Sequence, residues 1–323
     1  MIFLSAQPDD TYFIWQLQVL THNLRQLEVN KEDIHILVGY KQEVNPIWYQ
    51  NLHTVHGIVH LIQDERLTTH YLPSIRPHLI KKFMMRNPQY LSEYIFYHDA
   101  DILFGNLPLF EGMEDGRVHV SRTPYIDYSY IISKNSPSLI KDLVDVVGID
   151  QETLLKNEAN TGGAQYFFKG LGYSFWDKVE RDCEKMFRGY FDKIETYKNE
   201  FEASGIERSK YDFQIWTTDM WVVIWNIWLL GYEVYANPDL DFAWPSTDMK
   251  DWKTKYNIFH NSGVIAKDRL DYLYKQDFNK GFPYGQIGHL HPVTDLGNGI
   301  KVDLVQQVYI KAINDTADYL FSQ

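Results

Sequence analysis

The apolar positions of the first hundred residues follow two rhythms. Short runs of β-prone residues end at turn signals, and between them apolar residues recur at helical spacing. This pattern predicts strands at Ile2 to Ala6, Ile34 to Gly39, Ile58 to Gln63 and Tyr94 to His98, with helices at Tyr12 to Leu27 and Leu72 to Met85. Strand and helix in alternation imply βαβ units, hence an α/β fold with a mostly parallel sheet, right-handed crossovers and strand ends gathered on one edge. Further on, Val118 to Ser121 reads as a strand and Pro137 to Val147 as an amphipathic helix. A small-residue turn, Asn160-Thr161-Gly162-Gly163, enters a strand running to Lys169. Two adjacent glycines let a backbone come close to a ligand. Tyr173 to Tyr190 is helical by period, the charged stretch Lys193 to Lys210 reads as an excursion from the fold, and Asp212 to Leu230 as a buried helix. Its most apolar part, Met220 to Leu230, is about half of the ~20 residues needed to cross a bilayer. An apolar run closes at His260, before Asn261-Ser262-Gly263, and a Gly/His-rich loop spans Gly285 to Gly299.

Composition narrows the function. With 323 residues, 45% of them apolar, the chain can bury a full core as one large domain or two joined ones, and no repeat or low-complexity linker divides it. A net charge of −12 with only 31 Lys and Arg argues against a partner such as duplex nucleic acid, which demands a clustered basic surplus. The single cysteine, Cys183, excludes an internal disulfide and suits a reducing, cytoplasmic setting. The N-terminal apolar stretch is too short for a secretory signal, and no transmembrane segment is expected.

Candidate chemistry centres on Tyr97-His98-Asp99-Ala100-Asp101-Ile102-Leu103, where a β-prone run ends in two carboxylates one residue apart. In a regular strand the two would share a face, and at a strand end the backbone can aim both at one ion. A divalent cation holding a diphosphate takes one or two protein carboxylates and leaves its other positions to phosphate and water. A second triplet, Asp239-Leu240-Asp241, follows the turn signal Asn237-Pro238 and reads better as a loop. Asp9 and Asp10 fall at another strand end on the edge where open α/β sheets bind ligands. His260, at the end of its run, is a candidate third ligand, and carboxylates with one imidazole suit Mn²⁺ or Mg²⁺. His98, His289 and His291 compete for that place. Asp219 is either a first-turn helical acid favoured by the helix dipole or a carboxylate beside a sugar. Gln165 either faces a sugar or simply begins a strand. Lys81, Lys82 and Arg86 either reach phosphate or line a solvated helix face.

These blocks together resemble metal-dependent glycosyltransferases of the GT-A fold, a Rossmann-like sheet flanked by helices with C-terminal additions. The likeness is to the retaining glycogenin and lipopolysaccharide galactosyltransferase group and to plant hydroxyproline arabinosyltransferases and peptidyl-serine galactosyltransferases. Ser5-Ala6-Gln7-Pro8-Asp9-Asp10-Thr11-Tyr12 resembles the uridine-holding loop, and Asp99-Ala100-Asp101 the Asp-x-Asp strand. Asn160-Thr161-Gly162 resembles the donor-sugar block, Thr218-Asp219-Met220 the later acidic block, and His260 to Lys267 the closing metal histidine and phosphate lysine. The closing block departs from the family, whose lysine stands one residue nearer the histidine and precedes Pro-Trp.

The resemblance implies transfer of a hexosyl or pentosyl group from a UDP-sugar to a glycan, peptide or small-molecule hydroxyl, with retention and with Mn²⁺ or Mg²⁺ as cofactor. Asp99, Asp101 and His260 would hold the metal. Ala6, Asp9, Asp10, Tyr12, Lys82, Asn160, Gly162, Gly263 and Lys267 would bind the donor together with Asp99, Ala100 and Asp101. Asp219 and Gln165 would serve catalysis by steadying positive charge at the anomeric carbon. On this view residues 1–323 form one GT-A catalytic domain: residues 1–121 a nucleotide-sugar half, 122–270 a donor-sugar and acceptor half, and 271–323 a C-terminal extension. A sugar-nucleotide nucleotidyltransferase fits less well, because Gln7-Pro8-Asp9-Asp10 is acidic where a basic glycine-rich loop is required. A non-catalytic carbohydrate-binding relative remains the alternative from another class.

Overall fold

A computed structural model describes residues 1–67, 69–269, 271–284 and 303–322. The loop Gly285 to Gly299, with His289 and His291, lies outside the described residues. Ten strands are formed: β1 (Ile2–Pro8), β2 (Ile34–Tyr40), β3 (Ile58–Gln63), β4 (Ile95–His98), β5 (Ile102–Phe104), β6 (Val118–Arg122), β7 (Gly162–Phe168), β8 (Val234–Ala236), β9 (Phe242–Ala243) and β10 (Ile258–His260), counted among the described residues. Seven make one sheet in the order β3-β2-β1-β4-β7-β6-β8, and three make a second, β5-β10-β9. The pairs β1–β2, β2–β3 and β6–β8 are parallel and β6–β7 is antiparallel, the mostly parallel mixed sheet expected. The helices are α1 (Thr11–Gln26), α2 (Pro46–Asn51), α3 (Ile75–Arg86), α4 (Tyr128–Ile132), α5 (Pro137–Val147), α6 (Gln151–Lys156), α7 (Tyr173–Ala203), α8 (Thr218–Leu229) and α9 (Gln306–Phe321). No helix among the described residues is long and apolar enough to cross a membrane.

The chain divides into two compact units: residues 1–63, 97–112 and 239–323 in the first, 64–96 and 113–238 in the second. In the first unit, α1 buries Trp15 and Val19 against Leu103 of β5, Phe259 of β10, and Tyr309 and Ile313 of α9. The C-terminal helix, absent from the sequence-based expectation, thus belongs to this core. Asn23 of α1 stands in for a neighbouring strand: its amide donates to the Phe104 carbonyl at 3.1 Å and accepts the Phe104 N–H at 2.8 Å.

In the second unit, α8 is buried nearly all round, as its apolar run predicted, with Trp221 stacked on Phe213 at 4.8 Å. Midway along it, the buried Asn226 donates to Asp182 at 3.1 Å. Two boundaries differ from the pattern-based expectation. Asp212 to Gln214 lies outside α8, because Asp212 pairs with Lys134 at 2.9 Å and the Gln214 N–H donates to the Tyr130 hydroxyl at 2.9 Å. The charged stretch from Lys193 is no excursion. It continues α7 to Ala203, since Tyr190, Tyr197 and Phe201 keep an apolar stripe buried while the charges occupy the solvent face.

Candidate functional site

Asp99, Ala100 and Asp101 form the turn between β4 and β5, so the two carboxylates leave a strand end instead of alternating along a ladder. The antiparallel pairing of β10 with β5 sets His260 opposite Ile102, and the Asn261 N–H extends the ladder by donating to the Asp101 carbonyl at 2.9 Å. That register carries the imidazole to the carboxylates. His260 Nε2 lies 3.4 Å from Asp99 Oδ2 and 3.3 Å from Asp101 Oδ1. One donor atom from each of the three residues lies within 4.8 Å of the others, and among the described residues no other group of His, Cys, Asp and Glu meets this test. Two carboxylates and an imidazole at this spacing fit a hard divalent cation of the Mg²⁺ or Mn²⁺ kind, because ligands about 2.1 Å from one ion stand roughly 3 Å apart. His260 Nδ1 is buried and has no hydrogen-bond partner among the described residues.

Asp101 is buried, and burial alone would raise its carboxyl. The Lys275 ammonium, bonded to Oδ2, and the His260 imidazole more than offset this and hold the group well below the usual carboxylate range. Nothing in the sequence singled out Lys275. It reaches the site from the short helical turn Lys275–Phe278, whose neighbour Gln276 donates to the Tyr12 hydroxyl at 3.4 Å. Burial, reinforced by the charges of Asp101, Tyr274 and Asp99, pushes the Tyr12 phenol far above its ordinary value. His98 is not part of the trio. Its Nδ1–H donates to the Asp99 carbonyl at 2.8 Å, its ring meets Phe3 edge-on, and burial lowers it to about 4.

Around this centre Ala6 is buried in β1, and Asp9 accepts the Asn45 N–H at 2.8 Å while the Asn45 amide donates to the Asp9 carbonyl at 3.0 Å. Burial raises the Asp9 carboxyl, partly offset by that N–H. Asp10 and Tyr12 line a cleft of about 550 Å³ shared with Asn45, Gln276 and Lys280. A smaller cavity of about 230 Å³ borders Gly263 and Trp244. Gly263 has φ +81°, a left-handed conformation that glycine adopts without strain, and a Cβ there would press on the Trp244 ring at 3.1 Å. Lys267 is exposed on the turn Ala266–Asp268. Ala100 is buried in the carboxylate turn. Asp239 and Asp241 of the second triplet are not part of the trio.

The second unit holds the remaining candidates. Asp219 sits in the first turn of α8, with the Tyr71 hydroxyl 2.6 Å from its Oδ1 and Arg76 3.2 Å from its Oδ2. No local signal marks Tyr71 as its partner, since it lies on a turn 148 positions away. Gln165, in β7, is fully buried, and neither its Oε1 nor its Nε2 has a hydrogen-bond partner among the described residues. An amide left so is costly, by about 1–3 kcal/mol. Asn160 accepts the Ala236 N–H at 3.2 Å, tying the start of β7 to β8. Gly162 packs where a Cβ would collide with the Ser121 carbonyl, so close strand approach is reason enough for glycine there. Lys82 is buried and pairs with Glu65 at 2.5 Å, and Lys81 pairs with Glu180 at 2.6 Å, so neither lies on a bare solvent face.

No protein-family model and no curated protein matches the chain. Solved structures similar to it include the apo form of the bifunctional glycosyltransferase WbbM, at 10% identity and TM-score 0.42, over 82% of this chain and 46% of that one. The chain therefore spans less than half the length of that protein. Another is the apo form of mouse xyloside xylosyltransferase 1, at 9% identity and TM-score 0.39, over 81% of this chain and 97% of that one.

Proposed function

We propose that this protein is a glycosyltransferase that moves a sugar from a UDP-sugar to a hydroxyl acceptor, with a divalent cation, Mn²⁺ or Mg²⁺, held by Asp99, Asp101 and His260. The observation that carries the reading is the convergence of those three side chains at the strand-end turn. A cation bound there would act as a Lewis acid toward the leaving diphosphate. Asp10 and Tyr12 line the adjoining cleft, which offers a place for the uridine, and Lys280 on its wall adds positive charge. In the transfer, the bond from the anomeric carbon to the β-phosphate oxygen breaks and a bond to the acceptor oxygen forms. The acceptor proton passes to the departing phosphate, which suits retention, because no dedicated base is then needed. For Asp219, held within the second unit by Tyr71 and Arg76, and for Gln165, whose amide has no hydrogen-bond partner among the described residues, we keep the catalytic roles that the glycosyltransferase resemblance implies.

The test is release of UDP from a panel of UDP-sugars with Mn²⁺ or with EDTA, comparing the wild type with Asp101→Ala. Turnover of one donor that requires both metal and Asp101 supports the reading and names the sugar. Pyrophosphate-dependent nucleotide exchange without sugar transfer would point to a nucleotidyltransferase, and sugar binding without any UDP release to a non-catalytic relative. Either result would overturn it.

A further inference from the structure

Lys275 is built into the candidate cation site. Its ammonium bonds Asp101 Oδ2, while the other oxygen of the same carboxylate faces His260 Nε2 at 3.3 Å. The segment that carries it is fixed to the C-terminal helix: the Leu273 N–H donates to Gln306 Oε1 at 3.1 Å, and Gln306 Nε2 donates back to the Asp271 carbonyl at 3.0 Å. Gln306 is buried, and Leu273 belongs to the core of the first unit. The ammonium is thus placed by packing as well as by charge attraction.

That placement has an electrostatic consequence. Two carboxylates and a neutral imidazole would carry two negative charges, enough to neutralise a divalent cation outright. Lys275 cancels one of them, so a cation arriving alone meets a half-neutralised site and leaves an excess of positive charge behind. A diphosphate would more than offset that excess, because its oxygens can bind both the cation and the ammonium.

We propose that Lys275 is a resident counter-ion that makes loading of the site cooperative, so that the divalent cation binds tightly only together with a diphosphate. This rests on the cation site proposed above. Lys275 acts through Asp101 on the cation and, once a diphosphate is present, on its phosphate oxygens.

The experiment is titration of the full chain with Mn²⁺, followed by the electron paramagnetic resonance of the free ion, with and without UDP. Wild type, Lys275→Gln, Lys275→Arg and Asp101→Ala are compared. In the wild type UDP should tighten Mn²⁺ binding by between about fivefold and 150-fold, the usual span of a coupling between two ligands. Lys275→Gln should bind Mn²⁺ alone about tenfold more tightly than wild type and lose most of the gain from UDP, whereas Lys275→Arg should retain the wild-type pattern. A variant that merely misfolds would bind Mn²⁺ more weakly, so the direction of the change separates the electrostatic role from a structural one.

If Asp101→Ala abolishes Mn²⁺ binding but Lys275→Gln binds Mn²⁺ alone no more tightly than wild type, the counter-ion role is overturned while the cation site stands. If wild type binds no Mn²⁺ with or without UDP, the cation site itself fails, and the counter-ion role fails with it.

Discussion

Replacing Tyr71 by phenylalanine removes a single oxygen from one of the most enclosed polar contacts in the second unit. Tyr71 is 1% exposed, and its hydroxyl lies 2.6 Å from Asp219 Oδ1, 2.7 Å from the Trp216 carbonyl and 3.1 Å from the Asp219 N–H, which donates to it. The hydroxyl has one proton to share between two acceptors. Burial, strengthened by the Asp219 carboxylate, keeps that proton on by raising the phenol well above its ordinary value. Phenylalanine fills the same ring space, so no large cavity opens and the loss is polar. A hydrogen bond to a charged group contributes about 1.5–3 kcal/mol, and the bond that the Asp219 N–H donates to the hydroxyl is lost as well, while Arg76 still neutralises Oδ2. Tyr71→Phe should therefore destabilise the protein by about 2–3 kcal/mol. Urea unfolding followed by tryptophan fluorescence measures this as a lower midpoint at unchanged slope. Combination with Asp219→Asn closes a double-mutant cycle, with an expected coupling of about 1–2 kcal/mol between the two residues. A loss below about 0.5 kcal/mol, or additive single effects, would refute the claim that Tyr71 holds the Asp219 carboxylate.

Three further outcomes are expected. Gly162→Ala places a methyl against the Ser121 carbonyl and 2.5 Å from Val120 Cγ2, so β6 and β7 must part locally, and a loss of about 1–3 kcal/mol should appear in the same urea assay. His35 Nδ1 and His60 Nε2 lie 3.0 Å apart with one proton between them, and burial together with His60 lowers His35 to about 4. An unfolded histidine titrates near 6.5 and takes up a proton that the folded one refuses, so stability should be constant above that pH and fall as pH drops from about 6.5 to 4. His35→Asn should make this part of the stability–pH curve shallower, and part of the remaining slope comes from the buried His98, also lowered to about 4. Cys183 is fully buried and its thiol is pushed up by burial, so a thiol reagent should leave the native protein unlabelled and react fully in denaturant.

Much of the architecture was legible in the chain because burial writes a local period into it. β1 to β4, α5 and the buried α8 follow the apolar pattern, and the turn holding Asp99 and Asp101 lies at the strand end where the run of β-prone residues stops. The reach of α7 to Ala203 is concealed for a local reason as well. Dense charge on its outer face hid the stripe of Tyr190, Tyr197 and Phe201 on the inner one. His260 stood out as a candidate ligand at the end of an apolar run, the resemblance to glycosyltransferases strengthened that reading, and the register of β10 on β5 brings it to the two aspartates.

What the sequence determined by itself is where strands β1 to β4 run, that α5 and α8 carry apolar faces to bury, and where two carboxylates leave a strand end. Tertiary structure alone decided which distant side chains those groups meet: Lys275 on Asp101, Asn45 on Asp9, Tyr71 on Asp219. The physical reason is range. Hydrophobic period and turn chemistry act over a few residues and mark the chain directly, whereas an ion pair across 174 positions leaves no local trace and arises only when packed helices and strand register fix both ends.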